Sequence, residues 1–574
     1  MSLNCARSDY SKITFVITLA GVVIFFLIFL SSLCDSLSLE SIFDDSYMFV
    51  RYVDHLLETG ILAWDLSGNA TFGPTSLLYL GVVAPVRMFF PENPSLTVVF
   101  SSLCSGVLFF LLIFLYLWLR KTKNREEKKV FILFLAAAFL IQHADYYFVQ
   151  HFLTGMDTLF VLSFLAFYSI LFDRYINRPK NMLIVLVGLV GGGAFSVRPD
   201  LLVYAFCIPL AAVFFTSDKL VRKNAFLILV VTIVVVMCQM ALAAIFLHSP
   251  LPLSFYTKSM KNYGDAIYRI YHDLPTKYLL EYVRTFSLLW LVVALDIISA
   301  PREYWRRTSS LEKGLLVATV TFIGYYLFFV LQIMGFLQRF YYPTLPGLIF
   351  LAAGSFSRLW ERLGKRFSRR GEVEIFDKWM SVNFLLVLLV FLSVGNFNQR
   401  KGFLQKVNRL SELPKIYHGC NDFGGLVWLG LKELVALPDD FVFATTEIGC
   451  PGVMAPKKTV VDMTGLNETF LAHHGFNFNY IYAKYCPDLI YLPHPDYKKM
   501  TESLTRNTHF TDKYEKIPTR LKAVLRVAIR KNSKYYTVMK KIFSSSEQRL
   551  LNSGIKFKLS RFCFSRADWL RRRK

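Results

Sequence analysis

Long apolar runs separated by short polar stretches dominate the first two thirds of the chain. A bilayer core is about 30 Å thick, so a helix needs about 20 apolar residues to cross it. The runs therefore predict an α-helical polytopic membrane protein with about 11 transmembrane helices. Their centres lie near Phe25, Leu108, Phe134, Leu162, Val187, Phe206, Val231, Leu289, Phe322, Leu345 and Leu386.

Lysine and arginine cluster between these runs, and this sets the expected topology. All the basic loops can lie on the cytoplasmic side, as the positive-inside rule requires, if residues 77–90 do not cross the bilayer. That stretch has only about 14 residues and contains Pro85 and Arg87, so we expect a re-entrant or interfacial helix on the outer face. The N-terminus is then cytoplasmic and the C-terminus external. The basic loops are residues 120–125, 174–180, 219–223, 302–313 and 358–378.

The pattern changes after about residue 394. Short apolar runs alternate with helix-compatible stretches, which predicts a small C-terminal α/β domain outside the membrane. Its expected strands are residues 441–444, 459–462 and 488–492. We therefore expect a membrane module at residues 1–397, with a catalytic loop at about 35–95, and a C-terminal domain at residues 398–574. Its basic end, residues 514–574, is expected to be a solvated helical tail or, alternatively, a contact for anionic lipid or polysaccharide.

Composition narrows the function classes. Hydrophobic residues make up 54% of the chain, and the net charge is +24. This charge is spread over the loops, which favours a membrane protein over a nucleic-acid-binding one. The first apolar run, residues 13–33, has a poor cleavage site and is expected to be an uncleaved span. No cysteine pair has metal-ligand spacing, and a disulfide is left open among Cys420, Cys450, Cys486 and Cys563.

Two adjacent carboxylates carry the first candidate chemistry. Asp44 and Asp45 follow the first span and lie in the loop of residues 35–95. Glycosyl transfer with inversion needs a carboxylate that accepts the proton of the attacking hydroxyl group. We expect Asp44 to be this base and Asp45 to support it, although the order can be reversed. The alternative is structural, since an aspartate often starts a helix. No cofactor is certain, but the pair would be the place for a divalent cation such as Mg²⁺ or Mn²⁺.

Three cations expected on the same face suit the phosphate of a lipid-linked donor, and these are Arg198, Lys258 and Arg339. Each has a plainer alternative. Arg198 can pair locally with Asp200, Lys258 can be merely solvated, and Arg339 can extend from a helix end to the membrane interface.

Two further sets of side chains have an open role. A polar cluster around one outer turn could bind a divalent cation with Asp44 or Asp45, but its spacing matches no strong metal-ligand pattern, and structural hydrogen bonds are the main expectation. Its members are His143, Asp145, His151 and Asp157. A second set suits either sugar stacking or an interfacial aromatic belt. It consists of Tyr256, Tyr341 and Tyr342.

Several stretches resemble GT-C-fold glycosyltransferases, more narrowly the branch with the mycobacterial terminal arabinofuranosyltransferases. Residues 44–52 (DDSYMFVRY) are similar to its D-D-x-Y/F-x-x-x-R-Y/F opening, and residues 73–76 (GPTS) to its G-Y/F-T-S turn, from which Pro74 departs. Other similar stretches follow in order, and the resemblance extends to about residue 497. They are residues 154–158 (TGMDT), 198–200 (RPD), 251–258 (LPLSFYTK), 339–343 (RFYYP), 444–449 (ATTEIG) and 461–466 (VDMTGL).

The resemblance implies an inverting transferase at the periplasmic face of a bacterial inner membrane. Its donor would be a polyprenyl-phosphate-linked sugar and its acceptor a cell-envelope glycan or glycolipid, so the lipid bilayer is a partner and nucleic acid is not. The matching stretches also suggest substrate-binding side chains, namely Tyr47, Arg51, Thr75, Ser76, Asp157, Asp200 and Tyr256. Two other classes stay open: a transporter or flippase, and a non-catalytic envelope assembly protein.

Overall fold

The computed structural model describes residues 42–65, 68–119, 131–132, 135, 148, 151–259, 265–330, 336–368, 428–493, 497–519 and 525–552. Within these residues the chain is mostly helical, with one small sheet near the C-terminus. The helices before the sheet are α1 (Asp44–Thr59), α2 (Leu77–Phe89), α3 (Pro94–Leu119), α4 (Thr158–Asn177), α5 (Asn181–Val197), α6 (Leu202–Phe215), α7 (Lys219–Phe246), α8 (Leu253–Ser259), α9 (Asp265–Thr285), α10 (Ser287–Ser299), α11 (Pro301–Arg307), α12 (Ser310–Phe328) and α13 (Leu345–Ser368).

Four of the described helices, α3, α4, α7 and α12, are long and apolar enough to cross a membrane. The end of α9 and the whole of α10 form a fifth candidate if they count as one span, bent by 82° at the break between them. These helices contain the apolar runs predicted at Leu108, Leu162, Val231, Phe322 and Leu289. The described part of the chain therefore confirms a membrane-protein pattern with four or five candidate spans.

The other predicted spans have different outcomes. The runs at Val187 and Phe206 lie on α5 and α6, which are apolar but shorter, and α2 is a short apolar helix as expected for residues 77–90. The runs at Phe25, Phe134 and Leu386 lie outside the described residues. The total of about 11 spans stays a prediction.

The run at Leu345 departs from its prediction as a span centre. Leu345 begins α13 instead of lying at its middle, and α13 continues into charged residues. Arg358 on this helix pairs with the fully buried Asp296 of α10 at 2.8 Å and with Glu312 of α12 at 3.0 Å. The first half of α13 is buried, whereas its second half is charged and partly exposed, with Arg358 held by the ion pairs to α10 and α12.

A five-stranded mixed sheet lies at the centre of the C-terminal domain. Its strands are β1 (Phe443–Thr445), β2 (Val460–Asp462), β3 (Leu489–Tyr491), β4 (Tyr514–Ile517) and β5 (Val527–Arg530), in the order β2-β1-β3-β5-β4. Strand β1 is parallel to β2 and to β3, whereas β5 is antiparallel to β3 and to β4. The strands predicted at residues 441–444, 459–462 and 488–492 are confirmed as β1, β2 and β3.

Short helices surround this sheet and complete the C-terminal domain. They are α14 (Leu431–Val435), α15 (Gly449–Met454), α16 (Thr469–His474), α17 (Phe478–Tyr485), α18 (Lys498–Arg506), α19 (Thr508–Lys513) and α20 (Tyr536–Asn552). Helix α15 packs on α1, and α16 packs on α8. These two contacts join the C-terminal domain to the rest of the described chain.

The basic end of the chain was wrongly predicted to be only a helical tail. Residues 514–517 and 527–530 form β4 and β5, because Val527, Ala528 and Ile529 bury their side chains in the sheet. Helix α20 follows, and its Lys540 pairs with Glu515 at 2.8 Å. Residues 553–574 lie outside the described residues.

The cysteines of the C-terminal domain differ in state. Cys450 is disulfide-bonded. Cys486 is a free thiol. Cys420 and Cys563 lie outside the described residues.

Candidate active site

Asp44 opens helix α1, but its side chain points into the C-terminal domain. The residue is buried, and its carboxylate accepts hydrogen bonds from the backbone N–H groups of Gly449 (2.9 Å) and Cys450 (2.7 Å) at the start of α15. Burial raises the pKa of Asp44 to about 7, and the charge of Asp45 adds to the rise, while the two N–H groups oppose it. Both carboxylate oxygens therefore serve the contact between α1 and α15, which differs from the position expected of a catalytic base.

Arg51 also lies away from the position expected of a substrate-binding residue. Its side chain is fully buried, and all of its hydrogen bonds in the described residues go to protein groups. It donates to the backbone carbonyls of Trp64 (2.7 Å), Gly452 (2.5 Å), Ala455 (3.0 Å) and Lys458 (2.9 Å) and to the carboxylate of Asp65 (2.9 Å). Arg51 therefore joins α1 to the end of α15 and the segment after it.

Tyr47, Thr75 and Ser76 occupy packing positions. The Tyr47 hydroxyl shares a 2.8 Å hydrogen bond with the Ser95 hydroxyl. Ser76 is buried in front of α2, and its hydroxyl has no partner among the described residues, while Thr75 is half-buried beside it. No hydrogen bond in the described part of the chain links these three to the cations considered next.

Asp45 is the carboxylate of the pair that faces those cations. Its side chain is 38% exposed, and one oxygen lies 3.8 Å from Nη2 of Arg339. Because Asp44 and Asp45 are consecutive in a helix, their side chains leave α1 in different directions. One points to α15 and the other to Arg339.

Arg339 is held by an unusual backbone. Leu337 and Gln338 have positive φ values of 55° and 60°, a conformation that costs non-glycine residues about 1–3 kcal/mol and is concentrated at functional sites. His151 bonds the Leu337 carbonyl at 3.1 Å through Nε2. Among the described residues, Nε of Arg339 and Oε1 of Gln338 are buried without a hydrogen-bond partner. The guanidinium of Arg339 therefore keeps hydrogen-bond donors that the described residues do not use.

Lys258 lies in the same group of charges. It is exposed, yet desolvation by the surrounding protein and repulsion by Arg339 and Arg198 lower its pKa to about 8, although Asp45 and Asp200 oppose this. Its ammonium group lies 5.7 Å from the centre of the Phe340 ring. The ion pairs of the described residues do not include Lys258. Its charge is therefore balanced only at a distance.

Arg198 forms the local pair that was the alternative expectation. Its guanidinium makes two hydrogen bonds of 2.8 Å to the carboxylate of Asp200. The Tyr326 hydroxyl donates a further hydrogen bond of 2.5 Å to the same carboxylate. Sequence reasoning missed Tyr326, and its one available signal was a tyrosine pair at the end of an apolar run. Of the three cations, Arg198 is thus the best neutralised.

Asp157 and Tyr256 lie at the borders of this group. Asp157 is buried, which raises its pKa, while Arg198 and Arg339 oppose the rise, and its Oδ2 has no hydrogen-bond partner among the described residues. The Tyr256 ring lies 4.1 Å from the ring of His473 on α16, so it contacts the C-terminal domain. His143 and Asp145 lie outside the described residues.

The expectation of a divalent cation at Asp44 and Asp45 gains no support from their geometry. Both oxygens of Asp44 accept backbone N–H groups, which a bound cation would repel. In the described ranges, no three His, Cys, Asp or Glu side chains are grouped so that they could hold a metal ion. A metal requirement stays a prediction.

Among known proteins, solved structures are similar to the chain. No family model and no curated protein matches the chain. A crystal structure of ArnT from Cupriavidus metallidurans bound to undecaprenyl phosphate is similar to the chain with 12% sequence identity and a TM-score of 0.49. The match covers 90% of this chain and 98% of that one.

Proposed function

We propose that the protein is an inverting membrane glycosyltransferase that moves a sugar from a polyprenyl phosphate to a cell-envelope glycan or glycolipid. The observation that carries this proposal is the position of Asp45, an accessible carboxylate 3.8 Å from Arg339 and within the electrostatic reach of Lys258. A base beside two incompletely neutralised cations is the arrangement that this reaction needs. The sequence resemblance to GT-C enzymes supports the same reaction class.

The charge change of the reaction explains the two cations. A polyprenyl-phosphate-linked sugar is a phosphodiester with one negative charge, and the leaving polyprenyl phosphate is a monoester that carries close to two at neutral pH. Lys258 and Arg339 would stabilise the charge that develops as the bond to the sugar breaks. Arg339 can make paired hydrogen bonds to phosphate oxygens, whereas Lys258 acts as a point charge.

Asp45 takes the role of base in this proposal, and Asp44 does not. The Asp45 carboxylate accepts the proton of the acceptor hydroxyl as that oxygen attacks the anomeric carbon from the side opposite the phosphate. The bond between the anomeric carbon and the phosphate oxygen breaks, and its electron pair stays on the phosphate. Arg198 is already paired with Asp200, to which Tyr326 also donates, so Lys258 and Arg339 carry most of the phosphate contact in this proposal.

The disulfide at Cys450 supports a placement of the C-terminal domain in the periplasm. Disulfides persist in oxidising compartments and are rare in the bacterial cytosol. Cys450 belongs to α15, which packs on α1, the helix that carries Asp45. The proposed site would then share the compartment in which flipped lipid-linked sugars are found.

Mass spectrometry of envelope glycans tests the proposal in cells. A deletion strain should lack one sugar, and the wild-type gene should restore it. The Asp45→Asn variant, expressed to the same level in the membrane, should fail to restore it. Glycans that are the same in all strains would contradict the proposal and favour transport or assembly.

A further inference from the structure

The first turn of α1, which carries Asp45, is held by the membrane module on one side. The N–H of Phe43 donates to the Thr154 carbonyl at 3.1 Å, and the Ser46 hydroxyl donates to the Phe43 carbonyl at 2.6 Å. Ser46 is fully buried against Gly155, where a β-carbon would lie only 2.8 Å from the β-carbon of Ser46. This side of the turn has no room to shift.

The C-terminal domain holds the other side of the same turn. Gly449 lies so close that a β-carbon there would be 1.8 Å from the backbone carbonyl oxygen of Asp44. The Asp44 carboxylate then accepts the N–H groups of Gly449 and Cys450. Side-chain and backbone atoms of Asp44 are therefore both fixed by α15.

Arg51 fixes α1 at the far end of α15. It bonds the carbonyls of Gly452, Ala455 and Lys458, which follow Gly449 in the chain. Gly452 allows this close contact, because a β-carbon there would lie 3.0 Å from Cδ of Arg51 and 2.9 Å from the Trp64 ring. Helix α15 thus lies along α1 with a polar anchor at each end, Asp44 at the start and Arg51 at the finish.

Asp45 lies between two immobilised neighbours, Asp44 and Ser46, and its own side chain remains directed toward Arg339. We propose that α15 of the C-terminal domain is the positioning element of the base, and that Asp44 is a positioning residue that acts through the backbone of Asp45. This inference rests on the proposed function. It assigns the C-terminal domain a part in the chemical step that is separate from any binding of the acceptor.

The substitution Gly449→Ala tests this directly, because the added methyl group must push the backbone of Asp44 away from α15. A displacement of about 1 Å at a reacting group can cost on the order of 100-fold in rate. We expect Gly449→Ala in the purified full-length protein to lower kcat by about 10- to 100-fold, with the affinity for undecaprenyl phosphate changed less than about twofold. The matched control is Gly193→Ala on α5, where a β-carbon meets nothing within 4 Å.

Two milder variants keep the test decisive if Gly449→Ala does not fold. Gly452→Ala strains the contact between α15 and Arg51, and Asp44→Asn keeps one carbonyl oxygen as an acceptor for α15. Each should lower kcat by less than Gly449→Ala does. The affinity for undecaprenyl phosphate should stay at its wild-type value. The rates are measured per folded protein, well below each variant's melting temperature. A lowered melting temperature with wild-type kcat in these variants would overturn the positioning role.

The proposed function fails in a different way. Wild-type protein is offered a panel of undecaprenyl-phosphoryl monosaccharides as donors and envelope glycan from the deletion strain as acceptor. If it transfers no sugar from any donor, the transferase assignment is overturned, and the positioning role with it. Wild-type transfer that Gly449→Ala leaves intact would overturn the positioning role alone.

Discussion

Oδ1 of Asp44 accepts a 2.7 Å hydrogen bond from the backbone N–H of Cys450, which lies 406 residues further along the chain. This bond ties the first turn of α1 to the first turn of α15. It also separates the functions of two adjacent carboxylates, since Asp45 remains directed toward Arg339. The C-terminal domain is thereby part of the framework of the candidate active site.

The first prediction concerns the stability contributed by Asp44. Asp44→Ala leaves the N–H groups of Gly449 and Cys450 without their acceptor, and each unsatisfied buried donor costs about 1–3 kcal/mol. We expect a clear drop in the melting temperature of the detergent-solubilised protein and faster proteolysis between α1 and the C-terminal domain. Glu58→Ala, at an exposed carboxylate of the same helix α1, is the matched control and should melt like wild type. Equal stability of Asp44→Ala and wild type would contradict the docking role.

Arg51 gives the second prediction. Replacing it with Met removes every hydrogen bond that Arg51 makes and leaves Asp65, whose pKa burial already raises, without its ion-pair partner. Loss of one member of a buried ion pair costs about 3–5 kcal/mol. We expect Arg51→Met to reduce the amount of folded protein more strongly than Arg506→Met, which changes an exposed arginine of the C-terminal domain. Equal yields and melting temperatures for the two would argue against an anchor at Arg51.

The third prediction is that phosphate binding depends on pH through Lys258. The pKa of Lys258 is lowered to about 8 by desolvation and by Arg339 and Arg198, against the attraction of Asp45 and Asp200. The ammonium group is therefore charged below about pH 8 and loses its charge as the pH rises through that value. We expect the affinity for undecaprenyl phosphate to fall between pH 7.5 and 9.5, a range in which the phosphate, with a second pKa of about 6, is already almost fully ionised.

Lys258→Arg checks the assignment of that pH dependence. Arginine stays protonated throughout the range, so the fall in affinity should disappear. Lys277→Arg, at a lysine that lies 3.8 Å from Glu281 within α9, should keep the wild-type profile. A fall in affinity that persists in Lys258→Arg would remove Lys258 from phosphate binding.

The fourth prediction concerns the disulfide of Cys450. A native disulfide contributes about 2–4 kcal/mol by restricting the unfolded chain. Dithiothreitol should lower the melting temperature of wild-type protein, whereas Cys450→Ser should melt at the lower temperature with or without the reductant. Cys486→Ser, at a free thiol of the same domain, should behave like wild type. Protein from intact cells that already contains a reduced Cys450 would contradict the periplasmic placement.

Much of the fold was predictable because its signals are local. The apolar runs at Leu108, Leu162, Val231 and Phe322 lie on helices that can cross a membrane, and three strands lie where short apolar runs predicted them. Strands β4 and β5 were missed because lysine and arginine dominate their neighbourhood. Their apolar side chains, such as Val527 and Ile529, are revealed as strand residues only by pairing with β3.

The division of labour at the site could not be predicted from the sequence. Asp44 and Asp45 are adjacent and chemically identical, and the residue that distinguishes them, Gly449, is 405 positions away. The same limit applies to Arg51, whose partners after residue 450 are backbone carbonyls that leave no mark in the side-chain pattern. The Arg198–Asp200 pair was predictable as an alternative, because its two members are only two residues apart.

The rate of sugar transfer by purified wild-type, Asp45→Asn and Asp44→Asn proteins tests the role of Asp45 as base most directly. The donor is an undecaprenyl-phosphoryl monosaccharide, and the acceptor is envelope glycan. Loss of a general base costs about 100- to 10,000-fold. We expect a loss of this size for Asp45→Asn, measured per folded protein, and a smaller loss for Asp44→Asn. Full activity of Asp45→Asn together with an inactive, stably folded Asp44→Asn would contradict this expectation and return the catalytic role to Asp44.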